Sequence, residues 1–209
     1  MPLLAYCIVL DRAMNLPSEG VLSSALEPIE ESGLAALCSE LERSLISATN
    51  FQQAALEFHG VIQAVLAENA VVPFRFPTWL SAEEMRGHLR EKSSQYQDFL
   101  IRHADHLQME VRLLKQKGGT SGAASGAEHL RARAAQLRAM GERAKEVKHQ
   151  LADTVIEWRE VETANGMRLY ALVSRKSIES FREKLNRISL RASGPWPATE
   201  FLGQHRREE

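Results

Sequence analysis

Eight consecutive apolar residues, Leu3-Leu4-Ala5-Tyr6-Cys7-Ile8-Val9-Leu10, end abruptly at Asp11-Arg12. Successive side chains of a strand point to opposite faces, so a strand without polar alternates needs cover on both sides. The run therefore reads as a strand inside a core, with other elements layered over it. It is far shorter than the roughly 20 apolar residues of a membrane-spanning helix. No basic segment precedes it, so it is not read as a signal peptide, and a cytoplasmic protein is expected.

A chain of 209 residues, 44% hydrophobic and 25% charged, can bury one large core or two small ones. Its 26 basic and 27 acidic side chains leave a net charge of -1. No nucleic-acid partner is expected from that balance, and no membrane partner from apolar runs this short. Cys7 and Cys38, the two cysteines, both lie in apolar runs and read as buried thiols.

Along the chain, short strands are expected at 21–26 and 34–38, then a helical stretch from Ser39. Asn50 and Gln53 resemble a capping box opening a helix to about Glu68, with Ala55, His59, Ile62 and Leu66 on one face. Ser81 and Glu84 form a cleaner capping box for a helix to about His103. Its stripe is Met85, Leu89, Tyr96, Phe99, Leu100 and His103. Leu107, Met109, Val111 and Leu113 then alternate with polar residues, the pattern of a half-buried strand. The small-residue stretch 117–126 reads as a flexible loop. A helix follows, with Leu130, Ala134, Leu137, Gly141, Ala144, Val147 and Leu151 at helical spacing. Val155 to Val161 is strand-like, and Asn165-Gly166 signals a type I′ hairpin turn. Ile178, Phe181, Leu185 and Ile188 mark a last helix, and a short strand is expected at 190–193.

The expected class is α+β with two small domains. Residues 1–80 form the first, and 81–192 form a ferredoxin-like βαββαβ domain. Residues 193–209 form an extended tail. In that tail, Gly194-Pro195-Trp196-Pro197 puts a tryptophan between two residues that fix φ and lack an amide donor. Trp196 and Phe201 are too large to be left wet, so the arm should fold back onto a domain or onto a partner. A second unusual stretch, Pro73-Phe74-Arg75-Phe76-Pro77, sets one arginine between two phenylalanines. Arg75 can stack on rings and fork to a carboxylate, either as an internal tie between domains, the commoner fate of a buried arginine, or across an interface.

In these two motifs, and in their order after the Leu3–Leu10 run and His59-Gly60-Val61, the chain resembles the gas vesicle synthesis protein family, its F and L members. Pro77 stands where the family has glycine, and Ala198 where it has a second proline. The resemblance implies a non-enzymatic accessory protein, associated with gas vesicles. It would bind the small apolar wall protein, and other accessory gas vesicle proteins, and aid nucleation or growth of the shell. Phe74, Arg75, Phe76, Trp196 and Phe201 are its candidate partner-binding or domain-locking residues.

No competing constellation emerges from the residues. The stretch 118–126 sits where a phosphate loop would, but Ala127-Glu128-His129 follows instead of Gly-Lys-Ser/Thr. His103 and His106 lack the third and fourth ligands zinc wants. No serine stands in Gly-x-Ser-x-Gly, and Glu157, Glu160 and Glu162 are divided between strand faces. No metal, cofactor or catalytic residue is expected. The alternative functions are a ligand-binding or enzymatic domain on the ferredoxin-like fold, which hosts many activities, and a subunit of the shell itself. A mean hydropathy of -0.28 argues against a wall role.

Overall fold

A computed structural model describes residues 2–114 and 126–202. They divide into two compact units, one running to His106 and resuming at Trp196, the other Leu107–Pro195.

The first unit is built around β1 (Leu3–Leu10), of which only Leu10 is not buried. Its sheet also holds β2 (Glu27–Glu31), β3 (Leu34–Glu40), β4 (Val72–Pro73) and β5 (Trp79–Leu80). The order is β2-β3-β1-β4, and β5 also pairs with β1. β1 and β3 run antiparallel from Leu3 opposite Glu40 to Leu10 opposite Leu34, with a register shift between Ala5 and Cys7. The helix α1 (Phe51–Leu66) and the helix α2 (Ala82–Arg102) both pack on β1, and α2 also covers β2 and β3. The first boundary therefore falls after His106 and not at 80/81. Met85, Leu89, Phe99 and Leu100 of α2 are buried, so its apolar stripe holds it to the first sheet. The Ser81 box is present: Ser81 Oγ accepts from the Glu84 amide at 3.2 Å, and the Ser81 amide donates to Glu84 Oε2 at 2.7 Å.

Several local expectations give way here. Val21–Ser23 is a 3-10 turn in place of a strand, because the Val21 amide donates to Tyr6 Oη and Leu22 and Ser23 take positive φ. The strand after it is β2, shifted to Glu27–Glu31. No helix starts at Ser39, since β3 continues to Glu40 and only a 3-10 turn, Arg43–Leu45, follows. Asn50 does not cap through Gln53; its Oδ1 accepts from the Ser47 amide and its Nδ2 donates to the Leu45 carbonyl. The buried face of α1 is Ala54, Phe58, Val61, Ile62, Val65 and Leu66, which leaves His59 exposed.

The second unit contains β6 (His106–Leu114), α3 (Gly126–Gln150), β7 (Val155–Thr163), β8 (Gly166–Ser174), α4 (Ile178–Arg187) and β9 (Ala192–Trp196). Its sheet order is β7-β8-β6-β9. Met109, Val111 and Leu113 of β6, Met167, Leu169, Ala171 and Val173 of β8, and Phe181 and Leu185 of α4 form one core. α3 contributes Met140, Ala144 and Val147 to it, whereas Leu130 and Leu137 are exposed, so only the C-terminal part of the expected stripe is used. The alternate face of β6 is not simply wet: Gln108 and Glu110 are buried, and Glu110 Oε1 lies 2.6 Å from Arg112 Nε and 3.6 Å from Arg168 Nε.

The hairpin joins β7 to β8 at the expected place but with a different turn. Thr163 pairs with Gly166, so Ala164 and Asn165 are the two loop residues. Neither has positive φ, and Gly166, at φ 154, opens β8. A type I′ turn is thereby excluded. The expected strand 190–193 is β9, at Ala192–Trp196. The loop expected at 117–126 lies outside the described residues, apart from Gly126, which begins α3. The tail is not a free arm: a 3-10 turn, Thr199–Phe201, follows β9, and Ala198 and Phe201 are buried.

Candidate functional site

The arginine motif lies on the edge of β1. Val72 and Pro73 pair with Ile8 and Cys7, and Trp79 and Leu80 pair with Leu4 and Leu3. Between these two short pairings the chain must leave the sheet and return. The Phe74 amide donates to the Tyr6 carbonyl at 2.8 Å, and the Ala5 amide donates to the Thr78 carbonyl at 3.0 Å. Thr78 Oγ1 closes the excursion by donating to the Arg75 carbonyl at 2.6 Å. The peptide bond Phe76-Pro77 is cis. Arg75, Phe76 and Pro77 thus form the tip of a loop tied to β1 through its backbone at both ends.

The two phenylalanines diverge. The Phe74 ring lies 6.0 Å from His88 of α2, whose Nε2 is 3.0 Å from Tyr96 Oη. The Phe76 ring lies 5.1 Å from Phe58 and 5.2 Å from Phe51, both on α1. Phe58 in turn stacks on Tyr6 at 4.9 Å. An aromatic series therefore runs from Tyr6, fully buried in β1, through Phe58 and Phe76 to Phe51, which is 46% exposed.

Arg75 is exposed. Among the described residues it has no carboxylate within ion-pair distance and no ring beneath its guanidinium. The physical reason is the loop's anchorage: backbone bonds and Phe76 hold it, leaving the side chain between them to point away. The cation that does stack is Arg43, 5.8 Å from the centroid of Trp79.

In the tail, the Trp196 ring is half-buried and lies 5.4 Å from His59 of α1. The preceding Gly194 has φ 120, the Gly194-Pro195 bond is cis, and the Gly194 carbonyl accepts from Arg182 Nη2 at 3.2 Å. Phe201 is 4% exposed and belongs to the packing. Of the five candidate residues, Phe74, Arg75 and Phe76 share one loop, and α1 is the element that meets both motifs. Sequence reasoning missed Phe51 and Phe58 as partners of Phe76. Their separation of two helical turns, which sets them on one side of α1, was the available signal.

Among the described residues, the remaining titratable groups form no reactive constellation. Burial pushes the Cys7 thiol up to about 12, with the neighbouring Cys38 adding to it, and burial pushes Cys38 up to about 12. Neither forms the thiolate that nucleophilic chemistry needs near neutral pH. His103 and His106 stand 5.8 Å apart between ring centroids, with both Nδ1 atoms buried and without a hydrogen-bond partner. Desolvation, then the neighbouring His106 and Arg102, lower His103 to about 4. Among the described residues no group of three or more His, Cys, Asp or Glu side chains is placed to hold a metal. Glu157 opposes Leu172, while Glu160 and Glu162 oppose the core residues Leu169 and Met167, so the three glutamates are split between faces. No helix among the described residues is long and apolar enough to cross a membrane.

Comparison with known proteins gives one family and one fold. The family model described as gas vesicle synthesis protein GvpL/GvpF matches residues 2–203. The crystal structure of the gas vesicle protein GvpF from Anabaena sp. PCC7120 aligns over 97% of this chain and 98% of its own, with 16% identity and a TM-score of 0.69. That of GvpF from Microcystis aeruginosa aligns over 97% and 99%, with 14% identity and a TM-score of 0.72. No curated protein matches the chain.

Proposed function

The chain belongs to the GvpL/GvpF family of gas vesicle synthesis proteins, and we propose that it is a non-enzymatic accessory protein that binds the small apolar wall protein and aids nucleation or growth of the shell. The family match across nearly the whole chain carries this reading. A physical need supports it: a wall subunit whose apolar face will line a gas space aggregates before assembly unless that face is covered. On this reading the protein acts in the cytoplasm and at the growing vesicle, with the wall protein and other accessory gas vesicle proteins as partners.

The proposal extends to the architecture. The second unit is taken as a ferredoxin-like domain, from its element order β6-α3-β7-β8-α4-β9 and its sheet order β7-β8-β6-β9. Phe74, Arg75, Phe76, Trp196 and Phe201 are taken as residues that bind a partner or hold the domains. The test is co-purification of the full chain with the wall protein, together with vesicle counts in a strain lacking the gene. Capture of the wall protein and a loss of vesicles are expected. Normal vesicles in that strain and no affinity of the purified protein for the wall subunit would overturn the proposal.

A further inference from the structure

Most of the arginine motif is consumed by the fold. Phe74 and Phe76 pack against α2 and α1, and the loop's backbone is bound to Tyr6 and Ala5. What the fold leaves over is the exposed guanidinium at the tip and the outer end of the aromatic series, Phe51. Leu45, 50% exposed, is fastened beside the start of α1 by Asn50 Nδ2 donating to its carbonyl at 2.8 Å. An apolar step of Phe76 and Phe51, their rings 5.2 Å apart, thus adjoins in the chain a cation that has no carboxylate among the described residues.

We infer that this step is the docking surface for the protein partner, an apolar segment that carries a carboxylate. The inference rests on the accessory-protein reading and names the surface and the chemistry that would serve it. Charge complementarity selects the occupant. A guanidinium at the rim of an apolar surface gains a forked bond from a carboxylate, whereas another basic or uncharged segment leaves it without one. The rings supply an amphipathic contact area that requires little ordering, because Phe76 is already held by Phe58 and the tied loop. A rim ion pair chiefly sets the association rate and the salt dependence, and the rings set the lifetime.

The test uses the purified full chain and the solubilised wall protein, with affinity measured over a range of salt. Arg75→Glu is expected to weaken binding at least tenfold with its melting temperature unchanged, because that side chain is exposed, and Phe51→Ser several-fold, with a melting temperature lowered only slightly by loss of the Phe76 contact. Arg75→Gln should flatten the salt dependence. Leu130→Ser, on the exposed part of α3, should bind as wild type. If wild type binds and Arg75→Glu and Phe51→Ser bind equally well, the surface is wrong and the accessory function stands. If wild type does not bind, the function falls and this inference falls with it. If Arg75→Glu instead converts a self-associated protein to monomer in light scattering, the occupant is a second copy and the assignment to a wall-protein segment is overturned.

Discussion

Tyr6 and Phe58 stack with ring centroids 4.9 Å apart and planes 20° apart, joining β1 to α1 at the centre of the first unit. The Tyr6 hydroxyl also accepts from the Val21 amide at 2.9 Å and is hydrogen-bonded to Ser39 Oγ at 3.0 Å, all within the buried interior. One side chain thus fastens the central strand to a helix, to the neighbouring strand and to the 3-10 turn at Val21–Ser23.

Tyr6→Phe keeps the stack and removes only the hydroxyl. The Val21 amide and Ser39 Oγ then lose a buried partner, and an unsatisfied buried polar group costs about 1 to 3 kcal/mol. Chemical denaturation should show a loss of that size. Tyr6→Leu, which also removes the ring between β1 and Phe58, should lose clearly more. Equal stability of Tyr6→Phe and wild type would mean that the hydroxyl network contributes nothing.

Gly166→Ala tests the hairpin. A Cβ at Gly166 would run into the Leu113 carbonyl oxygen of β6, backbone that cannot swing aside, and φ 154 is itself unfavourable for a side chain. The expected loss is more than about 1 kcal/mol, as for alanine at other positive-φ sites. Asn165→Ala should cost much less, because Asn165 does not need positive φ in the observed turn. Thermal melts of the two variants decide, and the reverse ranking would restore a type I′ turn centred on Asn165-Gly166.

His103 carries a pH prediction. Its folded value, about 4, lies below the ordinary 6.5, through desolvation first and then the charges of His106 and Arg102. A base with a lowered folded value favours the folded state while it is neutral, so its contribution is complete above about 6.5. As pH falls from there towards about 4, the unfolded chain takes the proton first and stability declines, by up to about 3 kcal/mol. The readout is the difference between wild type and His103→Phe, which isolates the contribution of this one ring. The variant's stability curve should be flatter between pH 6.5 and 4, and parallel curves would reject the assignment.

The parts of the fold that were legible are those where one physical demand dominates locally. The Leu3–Leu10 run could only be an inner strand, Ser81 and Glu84 are three residues apart as a capping box requires, and Met109, Val111 and Leu113 alternate onto one core. The misread parts are those where a distant partner decides. Val21 looks like strand, but its amide is taken by Tyr6 Oη. β2, with Pro28 and three glutamates, has no apolar alternation because it is an edge strand. Leu130 and Leu137 have core spacing, yet only the C-terminal part of that stripe reaches the core. At the candidate site, the unusual composition around Arg75 and Trp196 was visible in the chain. The placement of Phe51 and Phe58 against Phe76 was not, because it depends on how α1 lies across β1.

The tail separates packing from recognition. Phe201 is 4% exposed, so Phe201→Ala should empty a core position and cost about 3 to 5 kcal/mol. Trp196 is only half-buried, with its ring 5.4 Å from the exposed His59, so less of its area is withdrawn from water. Trp196→Ala should therefore destabilise less than Phe201→Ala, reversing what side-chain size alone dictates. Both variants are compared by urea denaturation followed by circular dichroism. If Trp196→Ala proves the more damaging, the indole is a principal support of the fold. If it changes stability by less than about 0.5 kcal/mol, the range of ordinary surface substitutions, the indole contributes little to the fold and its role lies with a partner.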